Sequence, residues 1–480
     1  MSSSTLQSPV AVPARATSDH ASWGTLLVLL AGIFMATLDF FIVNVAIPGT
    51  QADLHASSAA MQWVVAGYGL AVAAGLITGG RLGDMFGRRR MYGLGMALFT
   101  VASIVCAMAG GAGELIAARV VQGVGMALVT PQVLGIISVV FAGARQARAF
   151  AAYGLTMGLA AVFGQLIGGA LIQADLFGLG WRTIYWINVP VGVIALAVLR
   201  RSVPESRGNA GTRLDPYGVG LILAALVALV LPLIQGRTQG WPLWTWLSLA
   251  TAAVLLGVFA WYQRRLAARG AAPLVDPTLF RDRAFSVGVV LSLAYQMTMG
   301  SFFLFLALYL QQGRGMTPLS SGALFLSIGG PYMLTSSVAE RLAARLGRQV
   351  IALGAMMQGA GLVLLAVAAE RAGGQVALEW LLPGLVIAGA GMGLALVPVP
   401  GVVLAGVAPE HAAAAGGVLA TAQQVGGALG IAVVGIVFYD RLGGTGNPGP
   451  AFVASLVPMS LLCLITAGLV QLLPRSRRKS

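Results

Sequence analysis

The chain has 480 residues, of which 58% are hydrophobic and only 9% are charged, and its mean hydropathy is +0.86. A soluble domain carries about 25% charged residues, so this composition excludes a soluble protein and indicates one embedded in a membrane. Two cysteines and three histidines are too few and too scattered for a disulfide framework or a metal centre. We expect no metal site and no cofactor.

Apolar stretches recur along the chain, and each is long enough to cross about 30 Å of hydrocarbon as a helix. We therefore predict an all-α polytopic membrane protein with fourteen transmembrane helices. The predicted spans cover residues 24–48, 59–79, 91–110, 114–138, 148–172, 184–200, 217–234, 244–262, 285–310, 319–338, 349–369, 380–406, 412–437 and 451–473.

The ends of the chain are polar, and they set its predicted orientation. Residues 1–22 are predicted to be a disordered cytoplasmic terminus, and residues 474–480 a basic cytoplasmic tail. Most of the 29 lysines and arginines fall on the side of the membrane that holds both termini. The positive-inside rule therefore places both termini in the cytoplasm, and we expect the protein in the inner membrane of the cell. The net charge of +14 then serves orientation and lipid contact, and we expect no nucleic-acid partner.

Two spans in the middle of the chain separate two groups of six. We predict a six-helix half over 23–200, two inserted helices with flanking cytoplasmic loops over 201–284, and a second half over 285–473. The loops RLGDMFGR (81–88) and RLAARLGR (341–348) occupy matching places in the two halves and share four of eight residues. Paired halves around a midplane site are typical of transporters, and we expect a monomer.

The first span, FMATLDFFIVNVAIP at 34–48, contains Asp39 near its middle. A charge at this depth costs several kcal/mol unless it is paired or hydrated, and burial favours the protonated carboxyl. Asp39 is therefore a candidate proton-coupling residue, with a structural hydrogen-bonding carboxyl as the alternative. Arg119 in the fourth span is the second candidate, unless its side chain only reaches towards the headgroups. Gln122 lies on the same helical face as Arg119.

The loop GGRLGDMFGRRR at 79–90 joins two adjacent spans. Its glycines allow a tight turn, and its aspartate can pair with an arginine in one conformation only, which would make it a latch. The alternative is a solvated basic turn that sets orientation alone. The candidate latch residues are Gly80, Asp84, Gly87, Arg88 and Arg89.

The fifth span, GLTMGLAAVFGQLIGGALI at 154–172, is rich in glycine. Glycines spaced by four form a groove for a neighbouring helix, and they also make a helix bendable, as a gate requires. The candidate gating residues are Gly158, Gly164, Gln165, Gly168 and Gly169. Polar and aromatic residues within other spans are candidates for a substrate cavity, although aromatics here are more often core: Asn44, Gln62, Tyr68, Gln122, Tyr295, Gln296 and Gln423.

Together, these segments resemble the fourteen-span drug:proton antiporter family of the major facilitator superfamily, over about residues 24–473. The family's motifs correspond to LDFFIVNVAIP (38–48), the loop at 80–89, RVVQG (119–123), WRTIYWINVPVG (181–192) and GGVLATAQQVGGALG (416–430). The resemblance implies export of amphipathic organic molecules in exchange for protons by alternating access. It also implies roles for Asp39 in coupling and Arg119 in proton transfer.

Three positions depart from the family pattern. Gln165 replaces the proline of the fifth-span antiporter motif, which removes a built-in bend and puts the direction of transport in question. Phe41 replaces a threonine in the first span, and Met85 stands where the loop usually has a basic residue.

We predict a proton-coupled exporter of small amphipathic organic compounds, drugs or metabolites, and not an enzyme. The sequence leaves open a substrate-specific metabolite carrier or importer of the same fold, and also a membrane sensor that does not transport. Few charges lie within the spans, which favours a greasy or cationic substrate. We expect a proton on Asp39 to weaken the binding of a cation.

Overall fold

The computed structural model describes residues 19–208, 214–271, 273–371, 378–404, 407 and 412–474. These residues are almost entirely helical, which confirms the predicted all-α class. The first helix begins at Asp19, so the last four residues of the predicted polar terminus, 19–22, are helical. The rest of that terminus and residues 475–480 of the basic tail lie outside the described residues.

Fourteen segments, here α1 to α14, run back and forth between the two ends of the bundle. They are α1 Asp19–Asp53, α2 Ser58–Phe86, α3 Arg88–Met108, α4 Ala112–Val140, α5 Gly143–Ala174, α6 Gly180–Ser202, α7 Pro216–Gln235, α8 Leu243–Ala268, α9 Arg283–Gly313, α10 Pro318–Leu324 with Leu326–Leu346, α11 Gln349–Arg371, α12 Leu378–Leu404, α13 Ala412–Thr445 and α14 Pro448–Leu472.

Thirteen of these segments in the described chain are long and apolar enough to cross a membrane. The remaining segment, α10, corresponds to the predicted span 319–338. It is interrupted at Phe325, contains Pro331 and continues to Leu346 through a basic last turn. Its polar second half lowers its hydropathy, although its position in the bundle matches that of a crossing helix.

Each six-helix half packs mainly within itself. In the first half, α4 packs between α2 and α3, and α5 packs on α1. In the second half, α12 packs on α11 and α10, and α13 packs on α9. The halves meet where α2 contacts α13, α5 contacts α10 and α1 contacts α9, so any space between them is enclosed by helices from both.

Glycines set the closest helix crossings. A methyl group on Gly125 of α4 would lie 2.8 Å from the backbone nitrogen of Phe99 in α3, and one on Gly95 would lie 2.6 Å from the Gly125 carbonyl. A crossing of the same kind joins Gly361 of α11 and Gly384 of α12. Small residues allow backbones to approach within a membrane, where apolar burial drives association poorly.

The inserted pair α7 and α8 lies outside the two halves. Helix α7 covers the seam between α2 and α13, where Val230 packs in one apolar cluster with Leu70 and Ala428. Asp215 caps α7 by accepting from the Gly218 backbone N–H at 2.8 Å, and it also accepts from Gln263 of α8 at 2.7 Å. These contacts hold the pair against both halves at once.

Candidate functional site

Four helices of the first half bring a buried ion pair together. Asp39 of α1 and Arg119 of α4 have no exposed surface, and Arg119 Nη1 donates to Asp39 Oδ2 at 2.5 Å. The other carboxylate oxygen, Oδ1, accepts from the amides of Gln122 and Asn188, each at 3.0 Å. Three donors around one acidic group stabilise its ionised form and offset the cost of its burial.

The guanidinium of Arg119 is held on several sides. Its Nη1 also donates to Gln122 Oε1 at 2.6 Å, and its Nε donates to the carbonyl of Val64 at 3.2 Å. Its central carbon lies 4.2 Å from the centre of the Tyr68 ring and 5.9 Å from that of Tyr185. The arginine therefore lies in the core of the half, and its side chain does not reach towards the headgroups.

Two members of this network were missed from the sequence. Ser103 of α3 accepts from Gln122 Nε2 at 2.7 Å and from Asn188 Nδ2 at 3.2 Å. Small polar residues are common in membrane helices, so a serine carries little signal on its own. Asn188 lies in the family-like segment WINVPVG. A polar amide within this apolar run could have marked it as a buried site residue.

A cavity of about 500 Å³ lies between the two halves. Aromatic rings from both halves line it: Phe40, Phe41, Tyr68, Tyr153, Phe303, Phe325 and Tyr332. Its polar lining consists of amides and hydroxyls, with Asn44 from the first half and Gln296, Gln423 and Gln424 from the second. No charged residue is among the lining residues of the described chain.

The ion pair and the cavity are neighbours, and Tyr68 separates them. The Tyr68 ring faces the Arg119 guanidinium and also lines the cavity, whereas Asp39 and Arg119 are not among the lining residues. A cargo in this cavity would therefore touch the ring and not the carboxylate. Any influence of proton binding on cargo binding must pass through Tyr68 or through movement of the helices.

The structure distributes the predicted cavity residues over four places. Asn44, Tyr68, Gln296 and Gln423 line the cavity. Gln122 belongs to the ion-pair network, Gln62 hydrogen-bonds Tyr439 beneath the inserted helix α7, and Tyr295 is buried among packed helices. The last three therefore take no part in the cavity wall.

The predicted loop at 79–90 is almost entirely helical, because α2 ends at Phe86, α3 begins at Arg88 and only Gly87 lies between them. The predicted latch residues at this junction contact two other segments. Arg88 pairs with Asp84 at 2.8 Å and donates to the Gly135 carbonyl at the end of α4, at 2.9 Å. Arg89 donates its backbone N–H to Glu205 at 3.0 Å. Gly87 has a φ of 109°, which only glycine adopts readily. Gly80 is less closely packed, because a methyl group on it would lie 3.6 Å from a Pro131 side-chain carbon.

The fifth helix, α5, contacts both halves through its glycines. A methyl on Gly164 would lie 3.2 Å from the Phe41 side chain, one on Gly168 would lie 2.5 Å from Ile42, and one on Gly169 would overlap the Pro318 carbonyl of α10. Gly158, near the middle of α5, instead lines the cavity, and a methyl there would lie 3.9 Å from Tyr332. The end of the bundle opposite the termini is thus closed by direct α5–α10 contact.

Gln165, which stands at the family's proline position, lies in this closed end. Helix α5 is continuous from Gly143 to Ala174, with no break at Gln165. The side chain is fully buried, and both of its amide atoms lack a hydrogen-bond partner within the described part of the chain. The facing helix α10 presents Ser321, whose hydroxyl is also buried without a partner. This contact is tightly packed but poorly satisfied in hydrogen bonds.

Comparison with known proteins identifies relatives that match most of the chain. Residues 29–431 match the family model described as Major Facilitator Superfamily. The chain is 39% identical over 429 residues to a "Probable actinorhodin transporter" of Streptomyces coelicolor, covering 88% of this chain and 73% of that protein. It is 33% identical to the "Tetracenomycin C resistance and export protein" of Streptomyces glaucescens (88% and 77% covered) and 35% to "Puromycin resistance protein pur8" of Streptomyces alboniger (87% and 82%).

Solved structures share the fold at low sequence identity. An auto inhibited POT family peptide transporter superposes with a TM-score of 0.70 at 15% identity, covering 95% of this chain and 98% of that one. The xylose transporter XylE from E. coli gives 0.65 at 14%, covering 95% and 100%. The fold, the family match and the relatives agree with the prediction of a transporter and not an enzyme, and the chain belongs to the major facilitator superfamily of membrane transporters.

Proposed function

We propose that this protein exports neutral, amphipathic aromatic compounds in exchange for protons by alternating access. One observation carries the proposal: an uncharged cavity lined with aromatic rings lies beside a buried Asp39–Arg119 pair. The cavity supplies a place for the cargo, and the carboxylate supplies a group that can carry a proton across the membrane interior.

The lining favours a neutral cargo. Rings from both halves, such as Phe40, Phe303 and Phe325, offer flat apolar surface, and Gln296 and Gln423 offer hydrogen bonds without charge. The relatives' names, which mention actinorhodin, tetracenomycin C and puromycin, support a small organic cargo. A cation would find no carboxylate in this wall, so the expectation that a proton and a cation compete directly at Asp39 is replaced by indirect coupling.

The position of the cavity supports an inward-facing state. Its lining lies in the middle of the bundle and towards the end that carries the termini, for instance Tyr153 in α5 and Pro400 in α12. The opposite end is closed, and Gln311 of α9 donates there to the Val45 carbonyl of α1 at 3.0 Å. We place the termini, and the open end, in the cytoplasm on the positive-inside rule, with the protein as a monomer in the inner membrane.

In the proposed cycle, the inward-facing protein binds cargo while Asp39 is ionised and paired with Arg119. After the change to the outward-facing state, Asp39 takes a proton from outside and its attraction for Arg119 is lost. Because the Arg119 guanidinium stacks on Tyr68, its displacement alters the cavity wall and weakens cargo binding. The neutral carboxyl then returns inwards and releases the proton, so each state favours a different occupant.

The test uses tetracenomycin C as the probe, with purified protein in inside-out proteoliposomes that have an acidic lumen. We expect uphill accumulation of the probe in the lumen with the wild type, and loss of uphill accumulation with Asp39→Asn. The matched control is Asp440→Asn, which removes an exposed carboxylate at the far end of α13 and should transport normally. Normal uphill transport by Asp39→Asn would refute its coupling role, and accumulation only with the opposite gradient would indicate import.

A further inference from the structure

Asn188 lies at the centre of the buried network around Asp39, but the proposed transport cycle gives it no role. Its amide Nδ2 donates both to Asp39 Oδ1, at 3.0 Å, and to Ser103 Oγ, at 3.2 Å. The residue is 1% exposed. It is the contribution of α6 to the network, whereas Arg119 and Gln122 both come from α4.

Asn188 lies in a stretch of α6 whose backbone stays helical. Ile187, just before it, has a φ of −58° and a ψ of −28°, and its N–H donates to the Thr183 carbonyl at 3.1 Å. Pro190 follows two residues after Asn188 and has no backbone N–H to donate to the preceding turn.

The hydrogen bonding of Asn188 is one-sided. Its amino group has two acceptors, but its carbonyl Oδ1 is buried without a donor among the described residues. All three groups that contact the Asp39 carboxylate are donors, so its present surroundings suit the ionised form. A protonated carboxyl would need an acceptor for its new O–H, and a buried O–H without one is costly.

We propose that Asn188 is a positioning residue that follows the protonation of Asp39 by reversing its amide. With Asp39 ionised, the amino group of Asn188 donates to the carboxylate. When a proton from the outer water binds to a carboxylate oxygen, the amide turns about its terminal bond so that Oδ1 accepts from the new O–H. The hydroxyl of Ser103 can turn as well, from acceptor to donor, and hold the reversed amide. This inference rests on the proposed role of Asp39 as the proton carrier.

Other titratable groups surround Asp39 and must be kept intact in the test. Arg119 faces it from α4, Tyr68 from α2, Tyr185 from α6 and Cys106 from α3. Of these, Arg119 alone is charged at neutral pH. Replacing Asn188 changes none of them, so a change in proton binding would report on the amide itself.

The measurement is infrared difference spectroscopy of the purified protein over a range of pH. The C=O stretch of a protonated carboxyl identifies the neutral form of Asp39, and its absence in Asp39→Asn assigns the band. In Asn188→Leu, we expect the midpoint pH, at which half of the Asp39 carboxyls are protonated, to rise by about one unit. The variant loses the amide's hydrogen bond to Asp39, and such a bond is stronger to a charged acceptor than to a neutral group. We also expect the band to move to higher frequency as the carboxyl loses its acceptor.

Gln358→Leu is the matched control. Gln358 is a fully buried amide in α11, and neither of its amide atoms has a hydrogen-bond partner among the residues that the structure describes. Its loss should leave the Asp39 band unchanged. Should Asn188→Leu fail to fold, Asn188→Ser is measured, with a smaller shift expected in the same direction. The inference would be overturned if the midpoint pH of the carboxyl band were unchanged in whichever variant folds. It would also be overturned if the wild type showed no carboxyl band that changes with pH.

The experiment needs no transported compound. A shifted midpoint without transport of tetracenomycin C would refute the proposed cargo and leave the role of Asn188 intact. Uphill transport that depends on Asp39, together with an unchanged midpoint in Asn188→Leu, would refute the amide switch alone.

Discussion

The two six-helix halves share a fold but bury different kinds of side chain. The first half holds Asp39 and Arg119 in its core with no exposed surface. In the second half, over residues 285–371, 378–404 and 412–473, no Asp, Glu, Lys or Arg is buried. Its core instead contains stacked rings, with Tyr309 and Phe452 4.6 Å apart and nearly parallel. The same architecture therefore holds a buried ion pair in one half and apolar packing in the other.

This difference shows how a pseudo-symmetric carrier can divide its tasks. Burying a charge pair costs desolvation free energy, and such a pair is often no more stabilising than an apolar replacement. If only one site binds a proton, a second buried pair would add this cost without a function. The second half is then free to present Gln296, Phe303 and Gln423 to the cavity. Three sets of substitutions would break or sharpen this contrast.

The largest effect is expected from breaking the ion pair. Arg119→Leu leaves a buried carboxylate without its cation, and we expect a loss of about 3–5 kcal/mol in the free energy of unfolding. The double variant Asp39→Leu with Arg119→Leu should recover most of that loss without recovering transport. The free energies can be measured by denaturant unfolding in detergent micelles, with Gln358→Leu as the second-half comparison. If Arg119→Leu were as stable as the wild type, Asp39 and Arg119 would not form a buried pair of charges.

An intermediate effect is expected where the halves touch. In Gly169→Ala, the new methyl would overlap the Pro318 carbonyl of α10, a backbone atom that cannot turn away. Overpacking of this kind costs about 1–3 kcal/mol, and here the cost falls on the closed end alone. Distances between spin labels at the ends of α5 and α10 should shift towards an open conformation.

Gly154→Ala provides the control for that change. It lies on the same helix, but a methyl there meets nothing within 4 Å. Its distance distribution should match the wild type. An equal shift in both variants would mean that helix propensity, and not the contact between halves, sets the equilibrium.

The smallest effect is expected from a comparison of two buried glutamines of the first half, Gln165 and Gln122. Gln165→Leu removes a buried amide with no partner, so we expect the closed end to gain about 1 kcal/mol of stability. Gln122→Leu removes an amide that bonds Asp39, Arg119 and Ser103 and should have the opposite sign. Thermal unfolding of the two variants side by side tests the contrast, and equal destabilisation would show that Gln165 has a partner after all.

The sequence predicts the bundle well because an apolar run of membrane length has few alternatives. It places helix ends less well. The first helix extends from Asp19 to Asp53, beyond the predicted 24–48, because its polar ends continue the helix outside the apolar window. The tenth segment is the weakest by hydropathy, and only its packing against α5 and α12 shows it as part of the bundle.

The site is predictable where a charge stands out and unpredictable where geometry decides. Asp39 and Arg119 are conspicuous in apolar runs, but their direct pairing depends on how α1 crosses α4. Tyr295 and Gln296 are consecutive, so they point in different directions on α9, and only Gln296 lines the cavity. Asn188 reaches Asp39 across 149 positions of sequence, and no local pattern encodes that distance.

The uncharged cavity has an electrical consequence. In the proposed exchange, a neutral molecule leaves while a proton enters, so each cycle carries one net positive charge inwards. The membrane voltage then drives transport in addition to the pH difference. At 100 mV, the voltage contributes about 2.3 kcal/mol per proton, which corresponds to a concentration ratio on the order of 50-fold. A cell with no pH difference across its membrane would therefore still expel the compound for as long as it maintained its voltage.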